Sequence, residues 1–396
     1  MNHLSKLTLG ALAIVSLTFT FASGEDKLPL PSLDDSLRTE LVDYLTNHRM
    51  TPEDYVVSKF ADHDVVILGE NHRARHDPIL IQKLIPRVYS AGVHILCTEF
   101  ARRVDQPLID SLLALPVYDD RLAQLIDFRE FVHWSYREYV DIFRAAWELN
   151  HSLKPEQTKF RILGLNNSPE WNFIQTQEER DNPDVRKKVW HGETEKDWAD
   201  VVLTQVVDKS EKALIYCGIH HGFSEYRQPR VREDGSCAGF VEDRLGRYIY
   251  NAIGKRVMTI YLHNDWPSVK GYNYPMTYPA DGYIDALFAT LDSTWWPVGF
   301  DTKGTPFGRL PGKTSIYSIC YDSFDLGTYC DGYIFQMPFT DYEPITCIEG
   351  FFNEDNIAEA QRNAVNPWFR DKPVEEFEQT CEEEREERLK DWSRLY

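Results

Sequence analysis

The sequence predicts an α/β fold: a largely parallel central sheet flanked by helices, with helical insertions and a loop-rich C-terminal part. Three observations lead there. Apolar runs of four to seven residues recur at 65–68, 93–98, 160–165, 213–217 and 256–262, each suited to a buried strand and too short for an independent helix. Helical text alternates with them, and that alternation calls for a parallel sheet covered on both faces. Several of the runs end in side chains that carry chemistry, and the carboxyl ends of parallel strands all face one way.

Taken in order, a Pro-rich start at 28–32 leads into a helix over 33–48. The run 65–68 stops at Gly69, and Glu70, Asn71 and His72 follow at once. Asp77-Pro78 is a helix start signal, and the helix to residue 91 must kink or divide at Pro86. Strand 93–98 terminates at Glu99. Residues 107–150 are helical with breaks near Pro116 and His133, and 139–149 has an amphipathic period. Strand 160–165 ends at Asn166-Asn167-Ser168, and a charged helical insertion occupies 170–208. Strand 213–217 ends in Gly218-Ile219-His220-His221. A helix over 243–253 is closed by Gly254, and strand 256–262 runs into His263. Segments 266–278 and 297–312 read as loops that cover the strand ends. Residues 331–337 read as a last strand, weakly echoed at 281–284, and 374–395 as an acidic helix with a solvated face.

Lys6, the apolar run 7–22 and the small residues Ala22-Ser23-Gly24 read as a signal peptide over 1–24. Residues 25–396 then form one domain, secreted or periplasmic, with no stable membrane span after cleavage. A hydrophobic content of 42% with 13% aromatic residues supports a substantial core. A net charge of −20 argues against nucleic-acid partners, since phosphates are repelled over most of the surface. Of seven cysteines, Cys97 and Cys217 sit in apolar runs as core residues. The others suit disulfides in an exported protein, Cys320 with Cys330 being the simplest pairing. No Gly-x-Gly-x-x-Gly or P-loop follows any strand, so nucleotides lack their backbone cradle.

The strand ends bring Glu70 with His72, Glu99, His220 with His221, and His263 to one edge. Imidazoles with carboxylates suit a divalent ion (Mn, Co, Fe or Zn), which lowers the pKa of bound water. They equally suit a metal-free His general base whose tautomer is fixed by a carboxylate. His263, before Asn-Asp, reads as a turn residue, and His76, His133 and His191 lie off the strand ends.

Gly69-Glu70-Asn71-His72 and Gly218-Ile219-His220-His221, each a Gly-x-x-His after an apolar strand with Glu99 between, resemble the superfamily that joins the Tiki and TraB proteins, the haem-binding ChaN lipoproteins and the erythromycin esterases. The ChaN-like branch is the most similar. The resemblance covers residues 64–265 and more weakly 331–338. It implies an α/β core with the motif residues in one cleft: Glu70, His72, Glu99 and His221 as catalytic residues, and His72, Glu99 and His221 as metal ligands. It also implies either metal-dependent hydrolysis or haem binding. Two departures stand out: His220 sits where a small or apolar residue is usual, leaving open which histidine faces inward, and the lipidation of ChaN-type members is missing. The function expected is an exported, divalent-metal-assisted hydrolase acting on an ester, lactone or peptide bond of a small-molecule or peptide substrate. The alternative is a haem- or metal-binding protein without turnover.

Overall fold

The computed structural model describes residues 27–180, 182–271 and 275–395; the signal peptide expected over 1–24 lies outside them. Nine strands are present among the described residues: β1 (Val65–Glu70), β2 (Ile95–Arg102), β3 (Arg161–Asn166), β4 (Ala213–Gly218), β5 (Pro229–Val231), β6 (Cys237–Phe240), β7 (Val257–Leu262), β8 (Val298–Asp301) and β9 (Gly332–Phe335). Seven form one sheet in the order β3-β2-β4-β1-β7-β9-β8. Every pairing in it is parallel except β8 with β9. The remaining two, β5 and β6, form a separate antiparallel hairpin.

The central strands are apolar along their whole length because both faces are covered. From β1, Val66 and Leu68 join a cluster with Leu80 and Leu84 of helix His76–Ser90 and Phe143 of helix Arg137–Ser152. The alternate residues Val65 and Ile67 face Trp198 and Val202 of helix Glu195–Gln205, and Ile249 of helix Leu245–Ile253. The strand period of two thus assigns each residue of β1 to one helical layer or the other.

Several expectations change. Helix His76–Ser90 runs through Pro86 undivided, because Pro86 is on its exposed side, where water can satisfy the carbonyl left without a donor. Segment 297–312 is not wholly loop: it holds the edge strand β8. Residues 281–284 are no strand but the entry to helix Tyr283–Phe288. The charged insertion resolves into helices Gln177–Arg180, Pro183–Val189 and Glu195–Gln205.

The acidic C-terminal helix, Val374–Trp392, also departs from a purely solvated role. Arg388 pairs with Asp265 at 2.8 Å, Trp392 donates to Asn264 at 3.2 Å, and Glu384 pairs with Arg73 at 2.7 Å. One side of the helix therefore locks onto the turns that follow β1 and β7.

Disulfides join Cys237 to Cys320 and Cys347 to Cys381, leaving Cys97, Cys217 and Cys330 buried and free. The Cys320–Cys330 pairing is overturned: Cys320 lies beside the β5–β6 hairpin, while Cys330 is buried in the aromatic cluster around β9. Peptide mapping under non-reducing conditions should recover these two links and three free thiols. Replacing both Cys347 and Cys381 by Ala should lower stability by about 4 kcal/mol, as chain entropy for a loop closed over a separation of 34 residues implies, which urea unfolding will measure.

Candidate functional site

The turn after β1 is built from the buried side. Glu70 lies on the same sheet face as Leu68, and Leu68 is in register with Tyr216 of β4. The Glu70 carboxylate, 1% exposed, accepts a hydrogen bond from the Tyr139 hydroxyl at 2.6 Å and another from Tyr216. Its Oε1 also meets Nδ1 of His72 at 2.6 Å. Burying a carboxylate demands this many partners, and here they orient the imidazole. His72 packs edge-on against Trp134, with centroids 4.8 Å apart. Its Nε2 has no hydrogen-bond partner among the described residues. Arg73 next takes a left-handed φ of 77°, strained for a side chain of its size. Bonds from its guanidinium to Tyr136 at 3.1 Å and to Glu384 hold it there.

The turn after β4 interlocks with this one. A Cβ on Gly218 would lie 2.7–2.8 Å from the His72 ring, and a Cβ on Gly69 would lie 2.4 Å from the Ile219 side chain and 3.0 Å from its Cα. Each motif glycine thus makes room for a residue of the other motif. Over the same spot, Gly218 N–H donates to Oε2 of Glu99 at 2.7 Å. Glu99 does not end its strand as expected, since β2 continues to Arg102, with irregular pairing to β3 between Thr98 and Arg102.

His221 sits between two carboxylates. Its Nε2 is 3.3 Å from Glu99 and its Nδ1 is 2.9 Å from Glu195. The second contact is off the line of a good hydrogen bond, so the attraction is mainly ionic. Glu195, the first residue of its helix, also accepts from the backbone of Leu245 at 3.1 Å. Burial alone would lower the pKa of His221, but Glu99 and Glu195 outweigh it and raise the value to about 10. For Glu99 burial would raise the pKa, but His221, His72 and the Gly218 N–H bring it down to about 2. The two form an imidazolium–carboxylate pair over a wide pH range.

Residues 219–222 form a helical turn, not an extended exit, and that turn separates the two histidines. His221 lines a cleft of about 770 Å³. His220 points elsewhere, with Nε2 2.7 Å from the Tyr317 hydroxyl. Burial, then Arg244, His221 and His72, lower its pKa to about 3. His263 stands in the bend after β7 and is buried there, with Nδ1 2.6 Å from the Tyr333 hydroxyl and Nε2 3.2 Å from Asp285.

The cleft is walled by Trp134, Trp171, Trp190 and Trp198, with Glu99, Glu130 and Glu195 among its carboxylates. The described residues of 266–278 and 297–312 are not among its lining residues. The insertion between β3 and β4 and the segment 230–244 do. Sequence reading therefore missed Tyr139, Tyr216, Glu195 and Glu130. The register of β4 against β1 is the signal that would have found Tyr216; Glu195 was one acid among many in a charged stretch.

Among the described residues, no three His, Cys, Asp or Glu side chains come together in an arrangement that could hold a metal ion. In the expected ligand set His72, Glu99 and His221, His221 faces a carboxylate at each nitrogen, Glu99 at 3.3 Å and Glu195 at 2.9 Å. In a ligand histidine one nitrogen must be deprotonated.

Residues 56–173 match the family model described as haem-binding uptake, Tiki superfamily, ChaN. That stretch holds Glu70, His72, Glu99 and Glu130, so the superfamily resemblance read from the motifs stands on a second footing; His221 lies beyond the match. No curated protein matches the sequence. Among solved structures, a Bacillus cereus protein is similar at 11% identity and TM-score 0.48, covering 81% of this chain and 100% of its own. ChaN of Campylobacter jejuni, described with cofacial haem, is similar at 16% identity and TM-score 0.36, covering 60% and 95%. The type III effector HopBA1 is similar at 15% identity and TM-score 0.35, covering 59% and 89%.

Two expectations follow from the geometry. Gly218→Ala should displace the His72 ring while leaving the sheet intact. The histidine NMR resonances should shift by more than the melting temperature falls, and an unmoved His72 signal would contradict the interlock. The second concerns pH. The raised pKa of His221 makes its contribution complete below about 6.5 and lost as pH rises through about 10. The lowered pKa of Glu99 makes its contribution complete above about 4.5 and lost as pH falls through about 2. Urea unfolding across pH should therefore show the advantage of the parent over His221→Gln level between about 4.5 and 6.5 and shrinking on either side.

Proposed function

We propose that the cleft and His72, which packs behind its wall residue Trp134, form a hydrolytic site in which His72 is the general base. The observation that carries this reading is the buried Glu70, fixed by two tyrosines, with one oxygen on Nδ1 of His72 and nothing on Nε2. Such an arrangement selects the tautomer with its lone pair on Nε2 and holds the ring in place, as a base that takes a proton from water requires. The His221 imidazolium, fixed between Glu99 and Glu195, is a positive group placed beforehand to stabilise an oxyanion. The substrate is an ester, lactone or peptide whose apolar part lies against the tryptophans. Export fits the two disulfides, which form in oxidising compartments. No helix among the described residues is long and apolar enough to cross a membrane.

A second reading is haem binding, favoured by the family description over residues 56–173. His72 would hold the haem through Nε2, since a ligating imidazole commonly has its other nitrogen on a carboxylate, and the tryptophans of the cleft would pack against it. Haem so held would make the protein a carrier.

The test is a set of three variants. His72→Ala and His221→Ala should each fold and lose at least ~100-fold in hydrolytic rate, whereas His220→Ala should retain activity at some cost in stability. The double variant should be little worse than either single one. A hydrolytic rate unchanged in His72→Ala sinks the general-base assignment. A Soret band that appears on hemin titration of the parent and is lost in His72→Ala would favour the carrier.

A further inference from the structure

The cleft holds a carboxyl group that the proposed reaction does not yet use. Glu130 is the last residue of helix Asp120–Glu130, is 6% exposed and lines the cleft with Glu99 and His221. No cation pairs with it. Arg102 and Arg129 are both engaged by Asp105, at 2.6 and 3.3 Å, and Arg186, Arg230 and Arg244, which line the same cleft, form no ion pair with Glu130 among the described residues. Arg137, which faces Asp127, pairs with Asp120 at 2.9 Å. Asp127, in the preceding turn of the same helix, is itself buried with one oxygen unpartnered.

The hydrogen bond that Glu130 accepts shows which of its oxygens is left free to carry a proton. Asn166, at the end of β3, accepts a hydrogen bond from the backbone N–H of Asn167 at 2.8 Å through Oδ1. That fixes the orientation of the amide and turns its NH2 group toward Oε1 of Glu130, to which it donates. Oε1 is thus an acceptor oxygen. Oε2 has no partner among the described residues and is left to bear the hydrogen.

We propose that Glu130 is the proton donor of this cleft, a neutral carboxylic acid whose Oε2–H protonates the leaving oxygen of the scissile ester. Burial, the Glu99 carboxylate and Asp127 act together to hold its pKa well above the ordinary carboxyl value, while Asn166 and Arg102 oppose them only in part. Glu99 in the same cleft is held ionised, and two carboxyl groups pushed apart in this way is the pattern by which one site provides both an acid and a base. In the reaction, the oxygen of water bonds to the carbonyl carbon as its proton passes to Nε2 of His72. The bond from that carbon to the leaving oxygen breaks, and that oxygen takes the proton of Glu130. His72 then returns its proton through solvent to the Glu130 carboxylate, so that ester and water become acid and alcohol.

The assignment predicts a substrate preference: esters of poorly acidic alcohols, whose leaving oxygen needs a proton. It rests on the hydrolytic reading above, and the test separates the two. Glu130→Gln keeps the shape and the neutrality and removes only the transferable proton. With ethyl acetate as the probe it should lose ~100-fold or more in kcat/KM. With 4-nitrophenyl acetate, whose leaving group departs unprotonated, it should lose less than about threefold, while His72→Ala loses both activities. The parent's rate on ethyl acetate should fall as pH rises through the raised pKa of Glu130, and that fall should be absent in Glu130→Gln. Independently of turnover, infrared difference spectra of parent minus Glu130→Gln at neutral pH should show a protonated-carboxyl stretch. A missing stretch, or equal losses on both esters, overturns the donor role and leaves the hydrolytic reading standing. A parent inert toward both esters overturns the hydrolytic reading and the donor role with it.

Discussion

Everything in the site depends on how closely the turns after β1 and β4 approach each other. The strands are paired so that Glu70 is level with Gly218, and the two chains leave the sheet side by side. Were either motif glycine replaced, a Cβ would occupy the position of His72 or of Ile219. The glycines are there because two turns must share one space, and neither needs an unusual backbone to do it. Once interlocked, the turns hold the His72 ring over Gly218 and the Gly218 N–H against Glu99. Both histidines of the site then have a carboxylate neighbour without any long, flexible side chain crossing the gap.

The two imidazoles of the site differ in the number of carboxylates each meets. His72 has one, on Nδ1, and no partner on Nε2 among the described residues. His221 has one near each nitrogen and is held as a cation. The adjacent His220 has the Tyr317 hydroxyl instead and is pushed toward neutrality by burial and by nearby positive groups. Neighbours in sequence can therefore differ this much in charge because a helical turn, and not an extended strand, carries them into separate environments.

The fold was legible where burial on both faces makes a strand a continuous apolar run, as at β1, β4 and β7. It was not legible at β8, whose Val-Gly-Phe-Asp is only four residues long and includes Gly299, packed on the Tyr55 ring where a Cβ would be 2.6 Å or less from it. In the site, Glu70, His72, Glu99 and His221 stood out because they interrupt or end apolar runs. Tyr139 and Tyr216 did not, since a tyrosine on an amphipathic helix or in a strand reads as core until its hydroxyl is found on a buried carboxylate. Glu130 and Glu195 were hidden for the opposite reason, as acids in stretches already rich in charge.

That difference bears on how the cleft acquires its character. The turns after β1 and β4 deliver the histidines and β2 delivers Glu99, and the stretch that matches the superfamily holds His72 and Glu99. The insertion between β3 and β4 delivers Glu195, which completes the charge of His221, and Trp198, which stacks on the same ring with centroids 5.0 Å apart. It also brings Trp171 and Trp190 to the far wall. A helix that provides both the counter-charge and the packing surface of a site imidazole cannot be exchanged without changing the state of that imidazole. The insertion is therefore part of the candidate site. The choice of substrate should be sought there and in the segment 230–244, which faces it, rather than in the loops beyond β7 that the sequence suggested.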